Sequence, residues 1–333
     1  MARLLLAGFG NVGRRLVEIL AEPRAFPGLG ELPLTVAAVT TGGHGAWADP
    51  AGLTPARILE QYRGAGRFPQ DLDTLEAART LDYDVLVELS PLSVAGRGEP
   101  AIAHVRAALE RGRHVVSANK GPVAWAWREL TALARERGVR FLHEAAVMDG
   151  APVFNLARHC LPGTTILGLD GILNSTTNVV LGRMEQGATL QEAVREAQAK
   201  GIAEADPSHD LDGWDAAVKL TALANVLMGA ALTPELVDRQ GITGLSREDL
   251  DRACARGRRI KLVCEAFRDG AQVRAVVAPR ELDLGHPFAR MEGSDSILRL
   301  HTDLMGRLSV VEESPGLTGT AYGVLADLQA LVL

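Results

Sequence analysis

The glycine-rich turn Gly8-Phe-Gly-Asn-Val-Gly13 constrains this chain more than any other stretch. Residues 4–7 before it are continuously apolar, as a strand buried on both faces must be, and residues 14–20 after it alternate as an amphipathic helix does. Strand, glycine turn and helix in direct succession open a mononucleotide-binding unit. Gly8 permits the tight turn, Gly10 leaves room for a pyrophosphate, Gly13 lets the helix pack closely, and the helix N-terminus favours negative charge. The competing reading is a Rossmann turn kept only for its structure, since the motif alone is weak.

The alternation continues. Residues 34–39, 84–89, 114–117 and 139–143 read as short apolar strands, while 102–110 and 123–137 read as helices. This predicts a mostly parallel sheet with helical crossovers, whose ligand edge lies at the strand C-termini, where Gly8, Ser90 and Asn119 fall. After about residue 152 the texture changes. Residues 164–172, 260–267, 272–277, 298–301 and 308–311 read as strands, with Asp269-Gly270 as a hairpin turn. Residues 189–200 form a helix with Thr189 as cap and Glu192 at its third position, 206–212 are polar and turn-like, and a helix continues through Met228.

A length of 333 residues exceeds what one core usually supports, so two domains are expected. The fold class is α/β: a Rossmann-type nucleotide-binding domain over residues 1–150, completed by a returning helix within 305–333, and a second α+β substrate and dimerisation domain over 151–304. The net charge of −6 gives no general attraction to nucleic acid or to an acidic membrane. No apolar run reaches the length of a bilayer span, and no secretory cleavage pattern follows the first strand. Cys160, Cys254 and Cys264 are scattered, which fits a reduced, cytoplasmic setting better than a disulfide scaffold or zinc knuckle.

Only Lys120, Lys200, Lys219 and Lys261 are lysines, against thirty-one arginines. Lys219 is notable because it lies in the apolar stretch "GWDAAVKL", one helical turn after Asp215. One reading is a plain helix ion pair. The other is a cation fixed where a substrate carbonyl oxygen gains electron density, with Glu204, Asp206 and Asp210 close in sequence. Lys120, in "SANKGP" after a parallel strand, should lie near the cofactor edge. Residues 40–44, Thr-Thr-Gly-Gly-His, supply neither the acid that reads a ribose 2′-hydroxyl nor an adjacent arginine for a 2′-phosphate, so NAD and NADP both remain open. His44 could assist a phosphate, or be an exposed loop histidine of no function.

Together these segments resemble the homoserine dehydrogenase family across nearly the whole chain: "GFGNVG", "SANKGP", "GILNSTTN" at 171–178, "AEADPSHDLDGWDAAVKL" at 203–220 and "TGTAYGVLADL" at 318–328. The resemblance is to the short, monofunctional form without an ACT domain. It implies reversible NAD(P)-dependent interconversion of L-homoserine and L-aspartate 4-semialdehyde, in the branch leading to threonine and methionine, by a homodimer joined through the substrate-domain sheet. By motif match, Lys219 and Lys120 are the catalytic lysines, and Glu204, Asp210, Asp215, Asn174 and Thr176 contact the substrate. The cofactor set is Gly8, Gly10, Asn11, Val12, Gly13 and Thr40 from the first turn and second strand, with Ser90, Pro91, Asn119, Lys120 and Gly319. The family commonly binds sodium or another monovalent cation; the matching segment "HEAAVMDGAP" offers Glu144 with backbone carbonyls of Val147, Asp149 and Ala151, although a helix cap or hinge explains those residues equally well. Two rivals remain: a Rossmann oxidoreductase for a different amino or oxo acid, and a nucleotide-responsive regulatory protein with a decayed site.

Overall fold

The computed structural model describes residues 1–29 and 32–332. It divides into two units, Met1–Phe154 with Gly316–Leu333, and Asn155–Pro315.

The first unit holds a six-stranded sheet of β1 (Ala2–Ala7), β2 (Leu34–Thr40), β3 (Ala46–Leu53), β4 (Val85–Glu88), β5 (His114–Ser117) and β6 (Phe141–Leu142), in the order β3-β2-β1-β4-β5-β6. All neighbours are parallel except β2 and β3. This is the Rossmann strand order, with an antiparallel strand at one edge. The reversal follows from chain length. Between β2 and β3 there is only a tight loop, closed by the Thr41 N–H on the Gly45 carbonyl at 3.1 Å, and a parallel crossover needs a dozen residues or more. β3 was not anticipated: Pro50 and Gly52 break its strand pattern, yet at a sheet edge a missing N–H costs little.

The helices Pro55–Ala65 and Thr74–Thr80 were likewise not anticipated, although Thr54 and Asp73 cap them with side-chain hydrogen bonds. The expected helix over 123–137 is two helices, Gly121–Trp125 and Trp127–Glu136, separated by the non-helical Ala126. The helix Leu317–Val332 lays Ala321, Val324, Leu325 and Leu328 into the core shared with Leu16 and Val17 of helix Asn11–Ala21 and with Leu4, Leu6, Val36, Val85 and Val87 of the sheet. Each large aliphatic buried there contributes about 1.5–3 kcal/mol, which is why a helix more than 300 residues downstream belongs to this unit.

The second unit is built on β7 (Ile166–Ile172), β8 (Asp238–Arg239), β9 (Arg258–Asp269), β10 (Gln272–Asp283), β11 (Ser296–Thr302) and β12 (Gly306–Glu312), ordered β12-β11-β7-β9-β10-β8. All pairs are antiparallel except β8 with β10. The hairpin at Asp269-Gly270 is longer than its apolar segments suggest, because it also carries paired arginines and carboxylates such as Arg258 with Asp283 and Arg280 with Glu265. Helices Ser175–Glu185, Trp214–Met228 and Arg247–Ala255 pack on the sheet. The Thr189–Glu192 capping box starts helix Leu190–Ala199, and the turn-like 206–212 contains the short helix Ser208–Leu211. Residues 305–315 group with this unit rather than with the first, since β12 is hydrogen-bonded to β11 along its whole length.

Across β7 and β11, Asp170 accepts from Arg299 Nε at 2.9 Å and lies 2.9 Å from His301 Nε2. Burial pushes this carboxyl up, but the Arg299 guanidinium and His301 ring outweigh it and hold it below the usual range. Stability from a depressed carboxyl is present above its unfolded value, about 4, and is lost as pH falls through the folded one. Thermal melts are expected to stay level from neutral pH to about 5 and then decline. In Arg299→Leu the neutral-pH melting temperature should drop and the acid decline should shrink; an unchanged acid limb would show that Asp170 does not contribute it.

Candidate active site

In the first unit the glycine turn is built as a nucleotide cradle. Gly8 follows β1 with φ +113°, and a Cβ there would lie 2.7 Å from the Leu89 carbonyl and 2.8 Å from the Ser90 nitrogen. A Cβ at Gly13 would lie 2.8 Å from the Gly8 carbonyl oxygen, whereas one at Gly10 would meet nothing within 4 Å. The loop is therefore packed hard on one side and open where a pyrophosphate would approach. Gly10 is the N-cap of helix Asn11–Ala21 and offers no side-chain cap, so the first-turn N–H groups, including those of Asn11 and Val12, are left to a ligand. The residues present thus fit a dinucleotide.

Behind the turn, the ends of β4 and β5 are tied by a buried polar network. Glu88, with no exposed surface, accepts from the Ser90 N–H at 2.8 Å, from the Ser90 hydroxyl, and from His104 Nδ1 at 2.9 Å. Asn119 Nδ2 donates to the Ser90 carbonyl at 2.9 Å and the Pro91 carbonyl at 3.3 Å, while its Oδ1 accepts from the Gly121 N–H at 2.8 Å. Ser90, Pro91, Asn119 and the half-buried Lys120 are thereby brought together at one edge. A buried carboxylate needs such partners. Glu88 and His104 were missed from sequence; the signal was a lone acid closing the apolar run 85–88. Thr40 is fully buried with its hydroxyl held by Leu6 and Thr74, so only its backbone is available at the cofactor edge.

Gly319 lies where the C-terminal helix crosses the turn 148–151: a Cβ at Gly150 would sit 2.1 Å from the Gly319 carbonyl oxygen. Met148 and Asp149 both have positive φ, 55° and 48°, and Asp149 accepts from the Thr320 hydroxyl at 2.9 Å. Glu144 is buried; its Oε1 accepts from the Phe154 N–H at 2.7 Å, and its own N–H donates to Asp327 at 2.7 Å. Asp327, a second buried acid beside this turn, was also missed. Among the described residues no three His, Cys, Asp or Glu side chains cluster as metal ligands, so a cation here would depend on carbonyl oxygens as well.

In the second unit Asn174 is the organising residue. As N-cap of helix Ser175–Glu185 it accepts from the Thr177 N–H at 2.8 Å, while its amide donates to Asp210 at 2.7 Å and to Asp215 at 2.9 Å. Two carboxylates are thus held on one nitrogen. Lys219, four residues along helix Trp214–Met228 from Asp215, lies 3.2 Å from it and donates to the Leu173 carbonyl at 2.8 Å. Both side chains are mostly buried, 20% and 16% exposed, so the ion pair and the fixed cation are one arrangement. Arg239 stacks 4.0 Å from the Trp214 ring centroid and fixes the start of that helix.

Thr176 is buried two residues beyond Asn174, whereas Glu204 is exposed, its backbone carbonyl accepting from Gln198 Nε2. Cys264 is fully buried nearby, its thiol pushed up to about 12 by burial, and so offers no competing base. Among the described residues, Cys160, Cys254 and Cys264 are all free thiols, and no helix is long and apolar enough to cross a membrane.

A Rossmann-type unit with an open pyrophosphate cradle, joined in one chain to a sheet domain carrying a lysine among carboxylates, defines a nicotinamide-nucleotide-dependent oxidoreductase. The family model for the homoserine dehydrogenase NAD-binding domain matches residues 8–144, and that for homoserine dehydrogenase matches 152–329. The chain is 38% identical to an NAD(+)-dependent homoserine dehydrogenase of Pseudomonas canavaninivorans, over 98% of this chain and 95% of the relative. It is 34% identical to a homoserine dehydrogenase of Methanocaldococcus jannaschii, over 98% and 97%. The solved structures of homoserine dehydrogenase from Thermoplasma acidophilum (TM-score 0.85, 27% identity, 99% of each chain) and of a hyperthermophilic archaeal homoserine dehydrogenase in complex with NADPH (0.83, 28%, 100% and 98%) share the fold. The chain belongs to the homoserine dehydrogenase family.

Proposed function

We infer that this chain interconverts L-homoserine and L-aspartate 4-semialdehyde with NAD(P), in threonine and methionine biosynthesis, and that Lys219 carries the catalytic charge. The observation behind this assignment is the Lys219 ammonium, anchored between Asp215 and the Leu173 carbonyl. NAD(P), when bound, accepts or supplies the electron pair. Lys219 stabilises the substrate oxygen as it gains negative charge and passes it a proton; an ammonium already oriented needs no reorganisation at that moment. Asp210 and Asp215, with Glu204, attract the substrate ammonium, Asn174 sets the spacing of the two aspartates, and Thr176 supports that wall. Lys120, beside Asn119, serves the cofactor edge and a second polarising role.

Gly8, Gly10, Asn11, Val12 and Gly13 hold the pyrophosphate; Thr40 backbone, Ser90, Pro91, Asn119 and Gly319 complete the cofactor surface. We place a monovalent cation at Glu144 with the carbonyls of Val147, Asp149 and Ala151, where consecutive positive-φ residues turn the chain sharply. A homodimer through the second unit's sheet, in a reduced cytoplasm, completes the reading. Homoserine oxidation followed separately with NAD and NADP tests the activity, and no turnover with either would end it. Glu144→Ala is expected to lose any sodium or potassium dependence that the wild type displays, read as initial rates across a salt series; equal dependence in both proteins removes the cation from this site.

A further inference from the structure

The corner beyond β2 carries an arginine that the reaction leaves unused. Arg14 lies one turn into the helix that starts at the glycine cradle, and its guanidinium donates to Asn11 Oδ1 at 2.6 Å and to the Gly10 carbonyl at 3.4 Å. It also sits 5.8 Å from the Tyr62 ring centroid, and the His44 ring meets the same tyrosine edge-on at 5.9 Å. Tyr62 is itself wedged against Phe9 at 5.1 Å and Phe68 at 5.7 Å, so this corner is backed by packed rings.

Arg15 pairs with Glu18, Arg63 reaches Glu18, and Arg57 reaches Asp49, but among the described residues Arg14 has no carboxylate partner. The loop 40–45 contributes no acid either, and the Thr40 hydroxyl, which ends the strand, turns inward to Leu6 and Thr74. Selection of an unphosphorylated ribose needs an acidic acceptor at this point of a Rossmann unit, and selection of a 2′-phosphate needs a cation. The corner lacks the first and holds the second. Arginine suits the purpose, since its fork forms charge-assisted hydrogen bonds to phosphate oxygens.

We propose that Arg14, assisted by His44, receives the 2′-phosphate of NADP(H), so that this chain selects NADP(H) over NAD(H). The proposal rests on the reading of Gly8 to Gly13 as the dinucleotide cradle, and the test separates the two. Cofactor-free protein is titrated calorimetrically with NADP+, NAD+, adenosine 2′,5′-bisphosphate and 5′-AMP. The wild type should bind the 2′-phosphorylated member of each pair at least about tenfold more tightly. In Arg14→Ala both ratios should fall towards one, in Arg14→Lys part of the preference should return, and His44→Ala should reduce the ratios less than Arg14→Ala. Melting temperatures check that the variants of the half-buried Arg14 are folded. Equal binding of the paired ligands by the wild type, or a preference that survives Arg14→Ala, overturns the assignment while leaving the cradle in place. Failure of all four ligands to bind overturns the cradle and the assignment together.

Discussion

Replacing Lys219 with alanine is expected to lower kcat/KM for homoserine by roughly a hundred- to a thousandfold, the usual loss when one preorganised donor to a developing oxyanion is removed. The effect should fall mainly on kcat, because the charge on the substrate oxygen is largest in the transition state. Folding should survive: alanine is the best helix former, and Asp215 keeps its hydrogen bond from Asn174 after the ammonium is gone. Dinucleotide binding should also survive, since Lys219 belongs to the second unit and the glycine cradle to the first. Lys219→Arg should rescue little, because a planar fork cannot replace a point charge seated between one carboxylate and one carbonyl. A variant whose kcat/KM stays within about fivefold of wild type would remove Lys219 from the chemistry.

The second large effect is expected at Gly8. Alanine there would place a methyl 2.7 Å from the Leu89 carbonyl carbon and oxygen, at a φ of +113° that L residues rarely adopt. The obstructing atoms are backbone, held in the sheet by the Leu89 N–H on Ala7, and cannot swing aside. Left-handed strain and overpacking each cost on the order of 1–3 kcal/mol, so a loss of about 3 kcal/mol follows. That corresponds to a melting temperature lower by roughly 6–12 °C. Gly10→Ala is the control, because a methyl there meets nothing within 4 Å and the backbone φ is −75°. It should leave the melting temperature nearly unchanged while weakening NAD(P) binding, since the methyl occupies the space reserved for the pyrophosphate. If Gly8→Ala melts within about 2 °C of wild type, the close approach is not rigid.

Much of this was legible in the chain. Strands β1, β2, β4 and β5 have apolar centres, and the cap signals at Thr189 and Glu192 are local, so short windows were enough. The same windows gave no reading of β3 or of the helix at 55–65. A proline in a strand depends on whether that strand is an edge, and an edge is a property of the sheet. The site divides similarly. Asp215 and Lys219 are four residues apart on one helix, and their pairing follows from helical geometry alone. Glu204, close to them in sequence, is exposed, because sequence proximity fixes no direction.

The sequence alone determined the buried strands of the first sheet, the glycine cradle and the lysine–carboxylate pair, since each rests on patterns within a few residues along the chain. Only the tertiary structure decided that Asn174 joins Asp210 to Asp215, that His104 supports Glu88 behind the cofactor edge, and that Arg14 meets the Tyr62 ring. Each of those arrangements needs residues from separate elements to meet. Where a buried polar group finds its partner depends on how the helices and strands pack, and no single stretch of chain encodes that.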